Sequence, residues 1–144
     1  MSDVNSFKLE QNESYALIDW MADDLASANS EELENAIRLL FKKDYANMVL
    51  NLSKTGQIDG YGVSAIRKGT KICTNEGGLF VVVTKNEAIA ERLDAAKIEN
   101  LALLNTVQEG VDAIYLNDLE NEFQDEDDTE GESEFGESSG DDYD

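Results

Sequence analysis

No basic residue follows Lys97. The 47 positions from 98 to 144 carry 17 acidic side chains and no lysine or arginine. The 97 residues before them hold all 11 basic and 15 acidic side chains, a net charge of only -4 out of the whole-chain value of -21. Like charges at this density repel. From about Asp118 on, few apolar residues remain to offset chain entropy. The expected organisation is therefore a flexible N-terminus over 1–11, or a short edge strand there at most, one globular domain over 12–117, and a disordered acidic tail over 118–144.

The charge also bounds function. Nonspecific attraction to DNA or anionic lipid is disfavoured, and a basic protein surface is the favoured partner. Cys73 is the sole cysteine and histidine is absent, which excludes an internal disulfide and leaves no zinc ligand set. Proline is absent as well, which argues against a proline-rich linker. The first residues lack the basic and apolar regions of a secretion signal, and Leu79–Val83 is too short to cross a bilayer. The expected location is cytoplasmic, of a cell or an infected host, with no membrane partner.

Periodicity predicts an α/β (or α+β) fold. A first helix is expected from Ser14 to about Ser27, where Tyr15, Ile18, Ala22 and Leu25 keep helical spacing. Trp20 falls off that stripe and reads as a core-edge residue. A second helix begins after Asn29, with Glu32 in capping-box position, and ends near Ser53, with a break foreseen at Lys42–Asp44. Glycines then punctuate short segments. Val63–Ile66 and Lys71–Cys73 read as short strands, and residues 74–78 as a tight turn. Leu79–Thr84, LFVVVT, has the unbroken β-branched character of a central strand covered on both faces. Thr84 with Glu87 predicts a capped third helix that buries Ile89, Leu93 and Ala96. A further helix over Asn100–Glu109 and a strand over 111–117 complete a strand–helix–strand crossover, with the two N-terminal helices packed on the sheet. The competing assignment continues 111–123 as one helix.

Catalytic signals are weak. Ser64, Cys73 and Thr84 lack a nucleophile context. Asp59 and Glu76 lie beside glycines and read as solvated loop residues, with a meeting in space as the minor alternative. The glycine segments lack phosphate-loop and dinucleotide spacing. The acidic run 125–134 lacks the register of a calcium-binding helix–loop–helix. No cofactor and no metal are expected.

Two candidate binding features remain. In the tail, Phe123, Phe135 and Tyr143 are interspersed with Asp125, Glu126, Asp127 and Asp128, a composition suited to a basic, partly apolar groove. Residues 38–71 hold seven basic and two acidic side chains, and Lys42, Lys43, Tyr61, Arg67, Lys68 and Lys71 form a candidate phosphate-binding or tail-docking cluster. The expected function is a noncatalytic protein-binding regulator or inhibitor that engages a basic partner through its acidic tail, with nucleic-acid charge mimicry and a viral accessory role as finer readings. The alternatives are a nucleic-acid-associated accessory protein and a structural or assembly protein.

Overall fold

A computed structural model describes residues 6–130, with side chains through residue 122. Among these residues the backbone forms, in order, β1 (Phe7–Gln11), β2 (Ala16–Trp20), β3 (Asp24–Leu25), α1 (Ser30–Lys42), β4 (Met48–Asn51), β5 (Gln57–Ile58), α2 (Gly60–Asn75), β6 (Phe80–Val83), α3 (Glu87–Ala96), β7 (Ala102–Leu104) and α4 (Val107–Glu130). The main sheet has the order β1-β2-β4-β6-β7. β1 runs antiparallel to β2, and the other neighbours are parallel. β3 and β5 make a small parallel pair of their own.

The mixed α/β class holds, and several elements differ from expectation. The first predicted helix is instead strands β2 and β3. Ala16, Ile18 and Trp20 are fully buried on one face of the sheet, while Leu17 joins the cluster on the other. This is the period of two that a strand requires. Trp20 is not at the core edge: its ring is fully buried and its indole N–H donates to the Asp24 carbonyl at 2.8 Å. The short edge strand allowed for the lead-in is β1.

α1 starts where the sequence placed it and ends at the foreseen break. Asn29 holds the N-cap position but makes no side-chain cap bond there, since its Oδ1 accepts from the Ala26 N–H at 2.9 Å. Glu31 and Glu32 in the first turn and Lys42 in the last complement the helix dipole. Asp44, at φ 75°, turns the chain out of the helix, and Tyr45 N–H closes on the Leu40 carbonyl at 3.0 Å. The apolar residues beyond are strand β4, not a continued helix.

The two strands expected over 63–73 are both part of α2. Its glycines are packing positions rather than breaks. A Cβ on Gly69 would come within 2.7 Å of Ile37 Cδ1 and 2.9 Å of Phe80 Cε1. That close approach lets α2 lie against α1 and β6. The turn at 74–78 is the end of α2, with Gly77 at φ 80° and Gly78 N–H bonded to the Cys73 carbonyl.

Phe80–Val83 is the buried central strand the apolar run predicted. The following helix α3 is capped by Asn86 rather than Thr84: Asn86 Oδ1 accepts from Ile89 N–H at 3.0 Å, while Thr84 Oγ1 accepts from Asn86 N–H. Ile89 and Leu93 are buried as expected, with Ala96 half-buried beside them. The parallel crossover exists, but its second strand is β7, where a helix was expected. Residues 111–117, read as a strand, belong to α4, in line with the competing helical assignment. α4 runs through Asp118, the expected start of the tail, to Glu130.

The sheet separates two cores. Residues from β2, β4 and β6 pack with α1, α2 and α3 on one side, around Ile18, Trp20, Leu50, Phe80 and Val82. On the other side Val49, Val81, Val83 and Ile114 form a smaller cluster under α4. Asn47, nearly buried, joins three segments at the strand starts. Its Oδ1 accepts from Leu79 N–H at 2.9 Å, and its amide donates to the Ser14 carbonyl at 3.2 Å and to Asp118 at 3.4 Å.

Candidate partner-binding site

The predicted basic cluster converges only in part: Lys71 shares one groove with Lys68 and another with Arg67, while Lys42, Lys43 and Tyr61 line neither. Lys42 and Lys43 stand at the exposed C-terminal end of α1. Tyr61 occupies the first turn of α2 and is 65% exposed. Arg67 lies six residues on, about 9 Å along the helix axis. It turns toward α3, where both terminal guanidinium nitrogens donate to the Ala96 carbonyl at 3.4 Å. Lys68 points the other way and pairs with Glu34 at 3.2 Å. Arg38 approaches the same carboxylate at 3.9 Å. Lys71, with Lys68 and Arg38, borders a groove of about 280 Å³ between α1 and α2 whose floor includes Ile37, Gly69 and Ile72. Lys54 is apart from all of these, paired with Asp19 at 3.7 Å.

A second groove, of about 480 Å³, runs between α2 and α3, lined by Gly60, Val63, Ser64, Arg67, Arg92, Ala95 and Ala96. Asp59 stands at its head as the N-cap of α2. Its carboxylate accepts from the N–H groups of Tyr61 at 2.9 Å, Gly62 at 3.0 Å and Ser27 at 3.2 Å. These bonds, that of Gly62 foremost, hold its pKa below the usual carboxylate range, and Arg92 adds to the effect. Asp59 and Glu76 do not meet, because they cap opposite ends of α2.

The acidic feature is partly placed. Phe123, Asp125, Glu126, Asp127 and Asp128 belong to the backbone of α4, with side chains outside the described set, and Phe135 and Tyr143 lie outside the described residues. The calcium-like run falls there too. Among the described residues no group of three or more His, Cys, Asp or Glu side chains is placed to hold a metal ion. Cys73 is buried, and burial pushes its thiol up to about 12. No helix among the described residues is long and apolar enough to cross a membrane.

One surface escaped the sequence reading. On α4, Tyr115, Leu116 and Leu119 are 49%, 61% and 47% exposed. They became legible only once 107–130 is one helix, because their spacing is helical and the strand reading obscured it. The capping pair that starts this helix was there to be found. Thr106 Oγ1 accepts from Glu109 N–H at 3.1 Å, and the Glu109 carboxylate accepts from Asn105 N–H at 3.0 Å.

The family model for the STAS domain matches residues 8–112. No curated protein matches the chain. Among solved structures, an anti-sigma factor antagonist from Mycobacterium paratuberculosis is 16% identical with a TM-score of 0.69, over 80% of this chain and 97% of that one. The anti-sigma factor antagonist SpoIIAA in its unphosphorylated form is 14% identical with a TM-score of 0.61, over 76% and 97% of the two chains. The Bacillus cell fate determinant SpoIIAA in its phosphorylated form gives 14% and 0.60, over 75% and 98%. At these identities the likeness is one of fold, and it agrees with the observed sheet flanked by helices on both faces. The matched segment spans the sheet from β1 through β7 and the first turns of α4, so this chain belongs to the STAS domain family.

Proposed function

We propose that this STAS domain is a noncatalytic regulator that acts by binding another protein, in the manner implied by its likeness to anti-sigma factor antagonists, and that its partner presents a basic surface. One observation carries the second part: every charged residue after Lys97 is acidic, and α4 carries ten of these side chains without one cation. A helix charged in this way draws a basic surface by long-range attraction and raises the rate of encounter. The same field resembles a run of phosphates, so a partner that otherwise holds nucleic acid would be occupied by charge mimicry. The rival reading, direct nucleic-acid binding through the basic cluster, is weakened because Lys68 is already paired with Glu34 and Arg67 is turned onto the Ala96 carbonyl.

A cut after residue 117 would sever α4 within its packed part, where Asn121 donates to the Gly77 carbonyl at 2.9 Å. A 1–130 chain keeps the helix and removes six acidic residues, taking the net charge from -21 to -15. Full-length and 1–130 chains are used to capture proteins from a nuclease-treated lysate. The retained protein is then purified, and its association rate is measured across a salt series. The full chain should associate faster at low salt, and the difference should vanish as the screening length falls from about 8 Å at physiological ionic strength to about 3 Å near 1 M. Equal rates at low salt would remove the last 14 residues from steering. Retention of nucleic acid in place of protein in an untreated lysate would favour the rival reading.

A further inference from the structure

We propose that the outward side of α4, centred on Tyr115, Leu116 and Leu119, is a docking surface for an amphipathic helix of a partner protein whose apolar face is bordered by lysine or arginine. The proposal rests on the protein-binding reading above and adds the surface and the chemistry of what it takes.

The orientation of α4 is fixed by its inner side. Ile114 is fully buried with Val49, Val81 and Val83. A Cβ on Gly110 would stand 2.9 Å from Val81 Cγ1, so the helix backbone lies close on the sheet. Asn117 and Asn121 both donate to the Gly77 carbonyl, at 3.0 and 2.9 Å. With that side held down, Tyr115, Leu116 and Leu119 are turned to solvent at 49%, 61% and 47% exposure. Positions 115 and 119 are one turn apart and 116 lies three before 119, so the three side chains form one short apolar strip. Three large apolar side chains grouped on a helix of a water-facing surface mark a contact site more often than isolated ones do.

Beside this strip lies the β1–β2 edge of the sheet. α4 packs over β4, β6 and β7. On the same sheet face β2 contributes Leu17, half-buried, and β1 contributes Lys8 and Glu10, both exposed. Tyr15 closes the near edge: burial, the Glu10 carboxylate and Tyr115 together raise its hydroxyl above the ordinary range. An amphipathic helix laid along this strip would have β1 and β2 on its flank, as such a helix has when it is taken into a groove.

Charge selects among occupants. Asp112 lies at the N-terminal end of the strip, and Glu120 and Glu122 flank it; all three are exposed. A second copy of the chain would set these carboxylates against their own counterparts. The segment 131–144 of the same chain adds six acidic residues and no base. Both pairings bring like charges together. A helix with apolar residues at the centre and basic residues at the margins satisfies the leucines and the carboxylates at once.

The probe is a synthetic 18-residue Leu/Lys amphipathic helix, with a scrambled peptide of the same composition as control. Each is titrated into isotope-labelled full-length protein and followed by backbone amide shifts. The largest shifts should fall at residues 112–122, and the scrambled peptide should bind at least tenfold more weakly. The double variant Leu116→Ser/Leu119→Ser should lose at least tenfold in affinity with an unchanged unfolding midpoint, since both side chains are exposed. Leu39→Ser/Phe41→Ser, on α1, should bind as wild type. Equal binding of the scrambled peptide, shifts centred on α1 or α2, or undiminished affinity of the Leu116/Leu119 variant would each overturn the proposal. So would sedimentation showing a dimer that the same variant dissociates. If this variant still retains the protein captured by the full chain, the surface is wrong and the protein-binding reading survives. If the peptide docks as described but no protein is captured, that reading fails and the surface stands.

Discussion

Ile114 and Leu116 offer a direct test of how the C-terminal part of the domain is built. In a strand they would point to the same face and share one environment. In α4 they are about 200° apart around the axis. Ile114 is fully buried and Leu116 is 61% exposed. Truncating Ile114 to alanine removes three carbons from the cluster with Val49, Val81 and Val83. At about 0.8 kcal/mol for each buried carbon the transfer loss is about 2.4 kcal/mol. The cavity left under a helix held at several points brings the total to about 3 kcal/mol. Leu116→Ala removes carbons that are mostly wet already and should cost less than about 0.5 kcal/mol. With a urea slope of about 2 kcal/mol/M, the Ile114 variant should unfold at a midpoint lower by about 1.5 M, and the Leu116 variant should remain near wild type. Equal losses in the two variants would refute the helical register and restore the strand.

Other outcomes follow from the same structure. Val82→Asp places a carboxylate at a fully buried position of the central strand and should leave no cooperative unfolding transition, as read by circular dichroism; a folded variant with an unchanged midpoint would contradict that burial. Cys73, with its thiol pushed up to about 12, should resist a thiol-specific disulfide reagent at pH 8 in the native protein and react promptly in denaturant. Asp59 has a folded-state pKa lowered by backbone N–H groups, so its stabilising effect is present above the ordinary carboxylate range and is lost as pH falls through the folded value. Wild type should therefore melt above Asp59→Ala at neutral pH, with the gap closing on acidification; a gap that is constant down to strongly acidic pH would show that the charge is not involved.

Some features could be read without tertiary information because the signal is local and unambiguous. LFVVVT has β-branched residues on both sides, and only a strand buried on both faces uses them all. The lone cysteine, the absent histidine and the shift to acid after Lys97 are compositional, and they point to a noncatalytic protein-binding regulator, the function proposed for this STAS domain. The start of α1 and the buried line of α3 were legible from spacing alone.

Elsewhere local pattern and tertiary environment diverged. In Ala16–Trp20 apolar residues face both sides of the sheet, so five residues fit either a helical or an alternating period until β1 and β4 pair with them. The glycines of α2 read as breaks because glycine is a poor helix former. Gly62 and Gly69 are there because the Leu25 backbone, Ile37 and Phe80 approach too closely for any Cβ, a fact that exists only after the helix has docked. α4 carries one apolar side against the sheet and another toward solvent, so its sequence shows no single stripe and resembles a two-faced strand. The basic residues cluster along the chain but only in part in space, since Arg67 and Lys68 leave α2 on different sides and Lys42 and Lys43 stand apart at the end of α1. Composition and short-range period are properties of the chain, and they determined the charge segregation and the central strand. Which apolar face is covered, which glycine is a contact and which charges meet depend on elements brought together from distant parts of the chain, and only the folded arrangement decided them.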